Sequence, residues 1–196
     1  MKKTNNTNLA LKLDLRRTVL KAGGLKKLRV LDLFAGGGEI WAALRQEFKV
    51  ESYLPCELKP QTEVGAPNGH SRESGNPLPL FLEAIGSSKI NVVDIDTAAE
   101  PWEIWAAVAR RIQQPAAVFL AAPGRGPLSK FARAVLGIPD SWPLTSASGL
   151  AGYASRFFLV PRFDAIEITS ARRLTLGPAV HYGLLVKPTE TENGQG

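Results

Sequence analysis

The chain has 196 residues, 44% of them hydrophobic and 21% charged, which is the size and composition of one soluble globular domain. No apolar stretch approaches the roughly 20 residues that a membrane-spanning helix needs, so no membrane partner is expected. Lys12, Asp14 and Arg16 interrupt the start of the chain where a secretory signal needs an apolar run, and a cytoplasmic location is therefore expected.

The positions of the cysteine and the histidines, together with the net charge, limit which kinds of site are expected. Cys56 is the only cysteine, which excludes an internal disulfide, and it lies far from His70 and His181, so metal-ligand spacing is absent. The formal net charge is +6 with a pI near 9.6, which permits attraction to nucleic acid. The basic residues are spread along the chain, however, and a solvated surface on a mildly basic protein accounts for the same charge.

The amino-terminal region predicts a polar tail over residues 1–10 and then an amphipathic helix from Leu11 to Ala22. The apolar side of this helix is predicted to carry Leu11, Leu15, Val19 and Leu20, with Lys12, Arg16 and Arg17 on another side. Gly23 and Gly24 form a natural carboxyl-terminal cap.

Residues 28–39 are the most informative segment, with the sequence Leu-Arg-Val-Leu-Asp-Leu-Phe-Ala-Gly-Gly-Gly-Glu. They predict a strand over about 28–34, a tight glycine turn, and a helix from about Glu39 to Phe48. Gly36 and Gly38 can adopt positive φ and lack a Cβ, so a ligand can lie against the backbone. Such a turn at the carboxyl end of a parallel strand predicts a site for a nucleotide-type cofactor.

The rest of the pattern alternates strands and helices around one long interruption. Residues 60–89 are rich in Pro, Gly, Ser and Asn and predict an inserted exposed loop. Strands are expected at about 50–56, 90–95, 116–121, 165–169 and 180–186, and helices at about 101–113, 128–136 and 153–159. The short connection at 172–178 predicts that the last two strands are antiparallel. The prediction is a single α/β domain over 11–187 with a second polar tail at 188–196.

The motif from Val30 to Gly38 resembles the first motif of the class I S-adenosylmethionine-dependent methyltransferases. The resemblance implies a doubly wound, mostly parallel sheet of six to seven strands with an antiparallel last strand, in three α/β/α layers. It implies S-adenosyl-L-methionine as the cofactor, with a binding set of Asp32, Phe34, Ala35, Gly36 and Gly38.

Three further contacts to the cofactor are implied by the same resemblance. Glu57 follows the second strand, where the family keeps an acid for the ribose hydroxyls, and a carboxylate can accept both of those hydrogen bonds. Asp94 or Asp96 follows the third strand, where the family contacts the adenine amino group. Lys12 and Arg16 precede the first strand, where a cation could pair with the carboxylate of the cofactor.

A nicotinamide site is the alternative interpretation of the glycines. The dinucleotide fingerprint needs a third glycine where this chain has Trp41, and the side chain there would crowd the helix against the strand. The methyltransferase resemblance is therefore preferred.

The methyl acceptor is the part that the sequence leaves open. Family members that methylate amines usually place an Asp/Asn-Pro-Pro-aromatic motif after the fourth strand, whereas this chain has Ala121-Ala-Pro-Gly-Arg125, in which only Pro123 matches. No catalytic residue is assigned. The charge favours nucleic acid as the substrate, and the alternative is a catalytically inactive relative that binds the cofactor or a partner protein.

Overall fold

The computed structural model describes residues 8–56, 83, 90–97, 101–123, 130–135, 166–176 and 179–189. The helices are α1 (Leu9–Gly23), α2 (Glu39–Leu44), α3 (Trp102–Ala109) and α4 (Lys130–Val135). The strands are β1 (Leu28–Asp32), β2 (Val50–Pro55), β3 (Val92–Ile95), β4 (Ala116–Pro123), β5 (Ile166–Leu176) and β6 (Ala179–Pro188). Among these helices, none combines the length and the apolar character needed to cross a membrane.

The strands of the described ranges form one six-stranded sheet in the order β2-β1-β3-β4-β6-β5. The strands β1 to β4 are parallel, whereas β6 runs antiparallel to both of its neighbours, β4 and β5. The predicted α/β class, the mostly parallel sheet and the reversed last strand are therefore confirmed. The chain leaves β1 toward β2 on one side and reaches β3 on the other, so β1 lies where the direction of winding reverses.

Hydrophobic side chains pack against both faces of the sheet, which gives the predicted three layers. On one face, α1 and α2 cover a cluster that includes Val30, Trp41 and Phe119. On the other face, α3 contributes Trp102 and Trp105, which are both buried. The alternation along each strand produces this division, because neighbouring residues of a strand point to opposite faces.

Helix α1 ends as predicted, but its buried side differs from the prediction. Gly24 has the left-handed conformation (φ 61°), and its amide donates to the Lys21 carbonyl. Leu11 was expected to face the core, yet 47% of it is exposed, whereas Arg16, expected on a polar side, is only 1% exposed. The helix is rotated in this way because two aspartates of β3 and its carboxyl end lie beneath it and pair with its cations.

The last two strands are longer than predicted. The expected segments 165–169 and 180–186 extend to Ile166–Leu176 and Ala179–Pro188, and most of the expected connection at 172–178 belongs to β5. The antiparallel pairing is confirmed, with a register shift between Ile168 and Ser170. The polar stretch from Arg172 onward was taken for a loop because an edge strand presents polar side chains to solvent and loses the apolar alternation. The predicted insertion at 60–89, apart from Glu83, the helix at 153–159 and most of both tails lie outside the described residues.

Candidate functional site

The segment between β1 and α2 forms a tight turn built on two left-handed glycines. Gly36 has φ 52° and Gly38 has φ 69°, conformations that residues with a side chain rarely adopt. The Gly38 amide donates to the Ala35 carbonyl at 2.7 Å, which closes the turn immediately before α2 begins at Glu39. The predicted strand, turn and helix are all present in the predicted order.

Backbone hydrogen bonds fix this turn between the carboxyl ends of the two strands that flank β1. The Leu33 amide donates to the Asp94 carbonyl of β3 at 2.8 Å. On the other side, the Cys56 amide donates to the Asp32 carbonyl at 2.7 Å, and the Ala35 amide donates to the Cys56 carbonyl at 3.3 Å. A crevice outside the carboxyl ends of strands, at the point where winding reverses, is where open α/β sheets bind ligands.

The surface of the turn is open backbone. A Cβ placed on Gly36 would meet only the Phe34 carbonyl oxygen, at 4.0 Å, and both Gly36 and Gly37 are exposed. A Cβ on Gly38 would lie 3.5 Å from the Tyr53 hydroxyl. A planar or phosphate-sized ligand can therefore approach the main chain at Gly36 without displacing protein atoms, whereas at Gly37 it meets the Glu39 side chain, whose Cγ lies 3.7 Å from where a Cβ would be.

A buried ion pair lies behind the turn, between α1 and β3. The Arg16 guanidinium binds the Asp94 carboxylate through two parallel hydrogen bonds, Nε to Oδ2 at 2.8 Å and Nη2 to Oδ1 at 2.7 Å. The Trp41 indole donates to the same Oδ2 at 2.9 Å, and the guanidinium also lies over the Phe119 ring. Bidentate geometry of this kind is the strong form of the arginine–carboxylate interaction.

Asp96 forms a second, more accessible pair with the same helix. Lys12 Nζ lies 2.7 Å from Asp96 Oδ2, and the Asp96 side chain is 18% exposed. Burial would raise the pKa of Asp96, but Arg16 and Lys12 outweigh it and hold the pKa below the usual range. Asp96 is therefore ionised at neutral pH, and it is the carboxylate of β3 and its carboxyl end that solvent still reaches.

Asp32, at the end of β1, is in a different electrostatic situation. Burial and the nearby Asp94 carboxylate raise the pKa of Asp32 to about 7, with opposing contributions from Tyr53 and Arg16. The Tyr53 hydroxyl donates to Asp32 Oδ2 at 2.9 Å, and the Arg45 guanidinium covers the Tyr53 ring at 4.2 Å from its centroid. Asp32 therefore exchanges its proton near neutral pH.

His181 of β6 completes the polar cluster on this face. Burial lowers the pKa of His181 to about 4, with Asp96 acting against the shift and Lys12 and Arg16 adding to it. The imidazole is consequently neutral at neutral pH, and it adds no charge to the cations that already face the aspartates.

The structure brings most of the predicted binding set together. Asp32, Phe34, Ala35, Gly36 and Gly38 belong to one turn, and Asp94 and Asp96 lie at the end of the adjacent strand. Asp94 is 1% exposed, and both of its carboxylate oxygens are engaged by Arg16 and Trp41. Glu57, expected at the ribose, lies outside the described residues.

The cations expected at the carboxylate of the cofactor have other partners. Lys12 and Arg16 bind Asp96 and Asp94, and Arg16 has almost no exposed surface for a ligand to reach. Tyr53 is a residue of the site that the sequence did not reveal, and its hydroxyl binds Asp32.

The signal that could have revealed Tyr53 is the alternation of β2. It places Tyr53 beside Val30 in the strand register, on the sheet face that carries the glycine turn.

The order of the strands changes where an acceptor group is to be sought. The family's acceptor motif is expected at the end of the fourth strand, where Ala121 and Ala122 are buried and apolar. The sheet places β3, not β4, next to β1, so the polar side chains nearest the turn are those at the carboxyl end of β3. Among the described residues, no group of three or more His, Cys, Asp or Glu side chains is arranged to hold a metal ion.

Comparison with known proteins gives a fold and no family. No protein-family model matches the chain, and no curated protein matches it by sequence. A solved structure named "Putative hemolysin from Streptococcus thermophilus" superimposes with a TM-score of 0.51 at 10% identity, covering 97% of this chain and 68% of that one. This likeness is one of fold alone.

Two further solved structures are more distant. One is a SAM-dependent methyltransferase from Archaeoglobus fulgidus, with a TM-score of 0.43 at 12% identity over 91% of this chain and 93% of that one. The other is Trm5b from Pyrococcus abyssi, with a TM-score of 0.39 at 15% identity, where 88% of this chain matches 48% of the other. Likenesses this distant carry no functional argument.

Proposed function

We propose that this protein binds S-adenosyl-L-methionine at the turn formed by Ala35 to Gly38 and transfers its methyl group to a nucleic acid. The observation that carries the proposal is the pair of left-handed glycines, Gly36 and Gly38, at the carboxyl end of the strand where winding reverses. A ligand with an adenosine moiety needs this open main chain because its flat surfaces must approach the backbone closely.

The residues of the crevice fit such a ligand. The sulfonium cofactor, when bound, supplies an electrophilic methyl group, and the protein has to position the acceptor and help it lose a proton. Gly36 leaves room above the turn, and Tyr53 and Asp32 line its floor with a hydroxyl and a carboxyl group. Asp32 is suited to hold or release a proton near neutral pH because of its raised pKa.

A catalytically inactive binding module is the second candidate, and the carboxyl end of β3, the strand next to the turn, favours it. Both carboxylates there are already engaged, Asp94 in its buried pair with Arg16 and Asp96 in its pair with Lys12. In this case the crevice would bind the cofactor, or a partner protein would use the fold, without turnover.

Calorimetry with S-adenosylhomocysteine tests the binding step. We expect Gly36→Ala to weaken binding by at least about tenfold, because its methyl group would project into the space reserved for the ligand. Gly24→Ala is the matched control: it imposes the same left-handed strain (φ 61°) in open space far from the turn, and it should leave binding unchanged. Absence of binding by the folded wild type would refute the proposal.

Turnover is tested separately, by transfer of tritium from labelled cofactor to RNA, DNA or protein mixtures. Label in nucleic acid supports the proposed reaction, and label in protein alone would contradict the proposed substrate. Cofactor binding without label in any mixture would favour the inactive module.

A further inference from the structure

Positive charge is concentrated at the edge of the sheet opposite the crevice. We call this the amino edge: β1 to β4 begin there, β6 ends there, and α1 and α3 run toward it. Its eight cations are Lys21, Lys26, Lys27, Arg29, Lys49, Arg110, Arg111 and Lys187, against two carboxylates, Glu51 and Glu167; the charge of Glu47, which lies in the loop before β2, is cancelled by its ion-pair partner Arg17. The charges of the remaining described residues cancel, because these residues include eight cations and eight carboxylates. The excess of six at this edge equals the formal net charge of the whole chain, +6.

The cations of the amino edge are accessible to a partner. Lys21, Lys26, Lys49, Arg110 and Arg111 are exposed. Both carboxylates already meet cations, since Glu51 lies 3.1 Å from Lys27 and 3.3 Å from Arg29, and Glu167 lies 3.1 Å from Lys187. The edge therefore retains a strong positive potential, which attracts polyanions.

The backbone that carries these cations is held in place by hydrogen bonds. The Asn91 side chain accepts from the Arg29 amide and donates to the Lys27 carbonyl, each at 2.8 Å. The Leu28 amide donates to the Lys49 carbonyl at 2.9 Å, which ties the start of β2 to the start of β1. A partner that binds here meets a pre-ordered main chain, so only side chains lose freedom on binding.

The dimensions of the edge fit a segment of nucleic acid backbone. Neighbouring strands lie about 4.8 Å apart, so the interval from β2 to β6 spans about 19 Å. At the rise of about 3.4 Å per nucleotide of a stacked strand, this corresponds to roughly six nucleotides, and an extended single strand covers it with fewer. A surface groove of about 480 Å³ continues along β2; the part at the start of β2 is lined by Phe48 and Lys49, whereas its other end, at Tyr53, belongs to the crevice. A cation beside a partly buried ring such as that of Phe48 is a pattern that single-stranded nucleic-acid surfaces use, where bases stack on the ring.

We propose that the amino edge binds the phosphate backbone of a nucleic acid. A membrane surface is disfavoured, because peripheral membrane binding combines cations with exposed large apolar side chains, and the one found among the described residues, Leu11, lies near the opposite end of α1. The five residues of β1 separate this edge from the glycine turn by about 15 Å. The amino edge is thus a binding surface separate from the crevice. Nucleic-acid binding at this edge does not depend on the proposed function; only the idea that the bound strand is the methyl acceptor rests on it.

Fluorescence anisotropy with a labelled oligouridylate long enough to cover the edge tests the proposal. The triple variant Lys21→Glu, Lys26→Glu and Lys49→Glu should bind at least about tenfold more weakly than wild type. Its slope of log affinity against log salt should fall by about 2, since each lost single-strand phosphate contact removes about 0.7. The matched control, Lys130→Glu with Arg172→Glu and Arg173→Glu, makes the same change in net charge elsewhere on the surface and should stay within about threefold of wild type.

Several outcomes would overturn the proposal. Equal losses in the two triple variants would mean that net charge alone, and no particular edge, attracts RNA. Binding to phosphatidylserine vesicles in place of the oligonucleotide would assign the edge to a membrane. If circular dichroism shows that the glutamate variant is unfolded, the corresponding glutamine variant replaces it, with a smaller expected loss of about threefold or more. Calorimetry with S-adenosylhomocysteine on the same variants distinguishes the two proposals. A variant that loses RNA binding but still binds S-adenosylhomocysteine has a defect of the amino edge alone.

Discussion

The surroundings of Asp32 disfavour the ionised form of its carboxyl group. Burial and Asp94 together raise its pKa to about 7, whereas an unfolded aspartate titrates near 3.9. The folded state therefore binds the proton more tightly than the unfolded state. The stability that this supplies is fully present below about pH 4 and is lost as the pH rises through about 7.

Replacement of this carboxyl group by an amide should remove that pH dependence. Below about pH 4, where Asp32 is protonated in the folded and the unfolded state alike, wild type and Asp32→Asn should have similar free energies of unfolding, because the amide has the size of the acid. Between about pH 5 and about pH 8 the wild type should lose about 2.5 kcal/mol more than the variant. Urea unfolding at the two pH values measures this difference, and parallel profiles would contradict the raised pKa.

Tyr53, which donates a hydrogen bond to Asp32, provides a second test of the raised pKa of Asp32. Its hydroxyl lowers the pKa of Asp32 by donating a hydrogen bond to the ionised form. Tyr53→Phe should therefore move the pH-dependent loss of stability to higher pH, opposite in direction to the effect of added positive charge. An unchanged midpoint would mean that the hydroxyl does not contact the carboxylate in solution.

At the scale of the element, α1 is held to the sheet by a buried charge pair. Arg16→Met should cost about 3–5 kcal/mol, because it leaves the Asp94 carboxylate buried without its cation. The neighbouring Arg17 is a matched control, since it pairs with Glu47 at the surface, and Arg17→Met should cost less than about 1 kcal/mol. The double variant Arg16→Met with Asp94→Leu should recover part of the loss, because it removes the buried charge but also the acceptor of the Trp41 indole N–H. Similar costs for Arg16→Met and Arg17→Met in urea unfolding would contradict the buried pair.

Helix α1 also approaches β6 more closely than a side chain would permit. A Cβ on Gly183 would lie 2.7 Å from Val19 Cγ2 and 3.3 Å from Leu15 Cδ1. Gly183→Ala should therefore destabilise the fold by about 1–3 kcal/mol through overpacking. The second substitution Val19→Ala should make room for the new methyl group, so the double variant should be more stable than the sum of the single effects predicts. Strict additivity in thermal unfolding would show that the two residues do not meet.

Features that are determined by residues close together in the chain could be predicted from the sequence. The glycine turn, Gly24 as the helix cap and the buried stripe of α3 follow from φ preferences and from apolar periodicity, which act over a few residues. The pair of Arg16 and Asp94 was not predicted because 78 positions separate the partners. One signal was present: Arg16 stands between Leu13 and Leu20 at helical spacing, and an arginine on a buried stripe requires a carboxylate opposite.

At the scale of the whole molecule, the open glycine turn and the excess positive charge of the described residues lie at opposite edges of one sheet. The carboxyl edge carries the open turn and a nearly neutral set of paired carboxylates, whereas the amino edge carries the excess of cations. This separation follows from the topology, because parallel strands send all their carboxyl ends to one edge and all their preceding loops to the other. A polyanion held at the amino edge therefore leaves the crevice open.

The two edges should bind their ligands almost independently. An oligouridylate no longer than the edge stays about 15 Å from the turn and contacts neither the glycines nor Asp32, so it has little differential energy to transmit; a methyl acceptor would have to be a longer strand that continues to the crevice. We expect saturating S-adenosylhomocysteine to change the dissociation constant of the oligouridylate by less than about twofold in anisotropy. Linkage requires that saturating oligonucleotide change the affinity for S-adenosylhomocysteine by the same factor in calorimetry. A coupling of about tenfold or more would contradict separate sites, because a strand that reaches the crevice has to respond to the ligand in it.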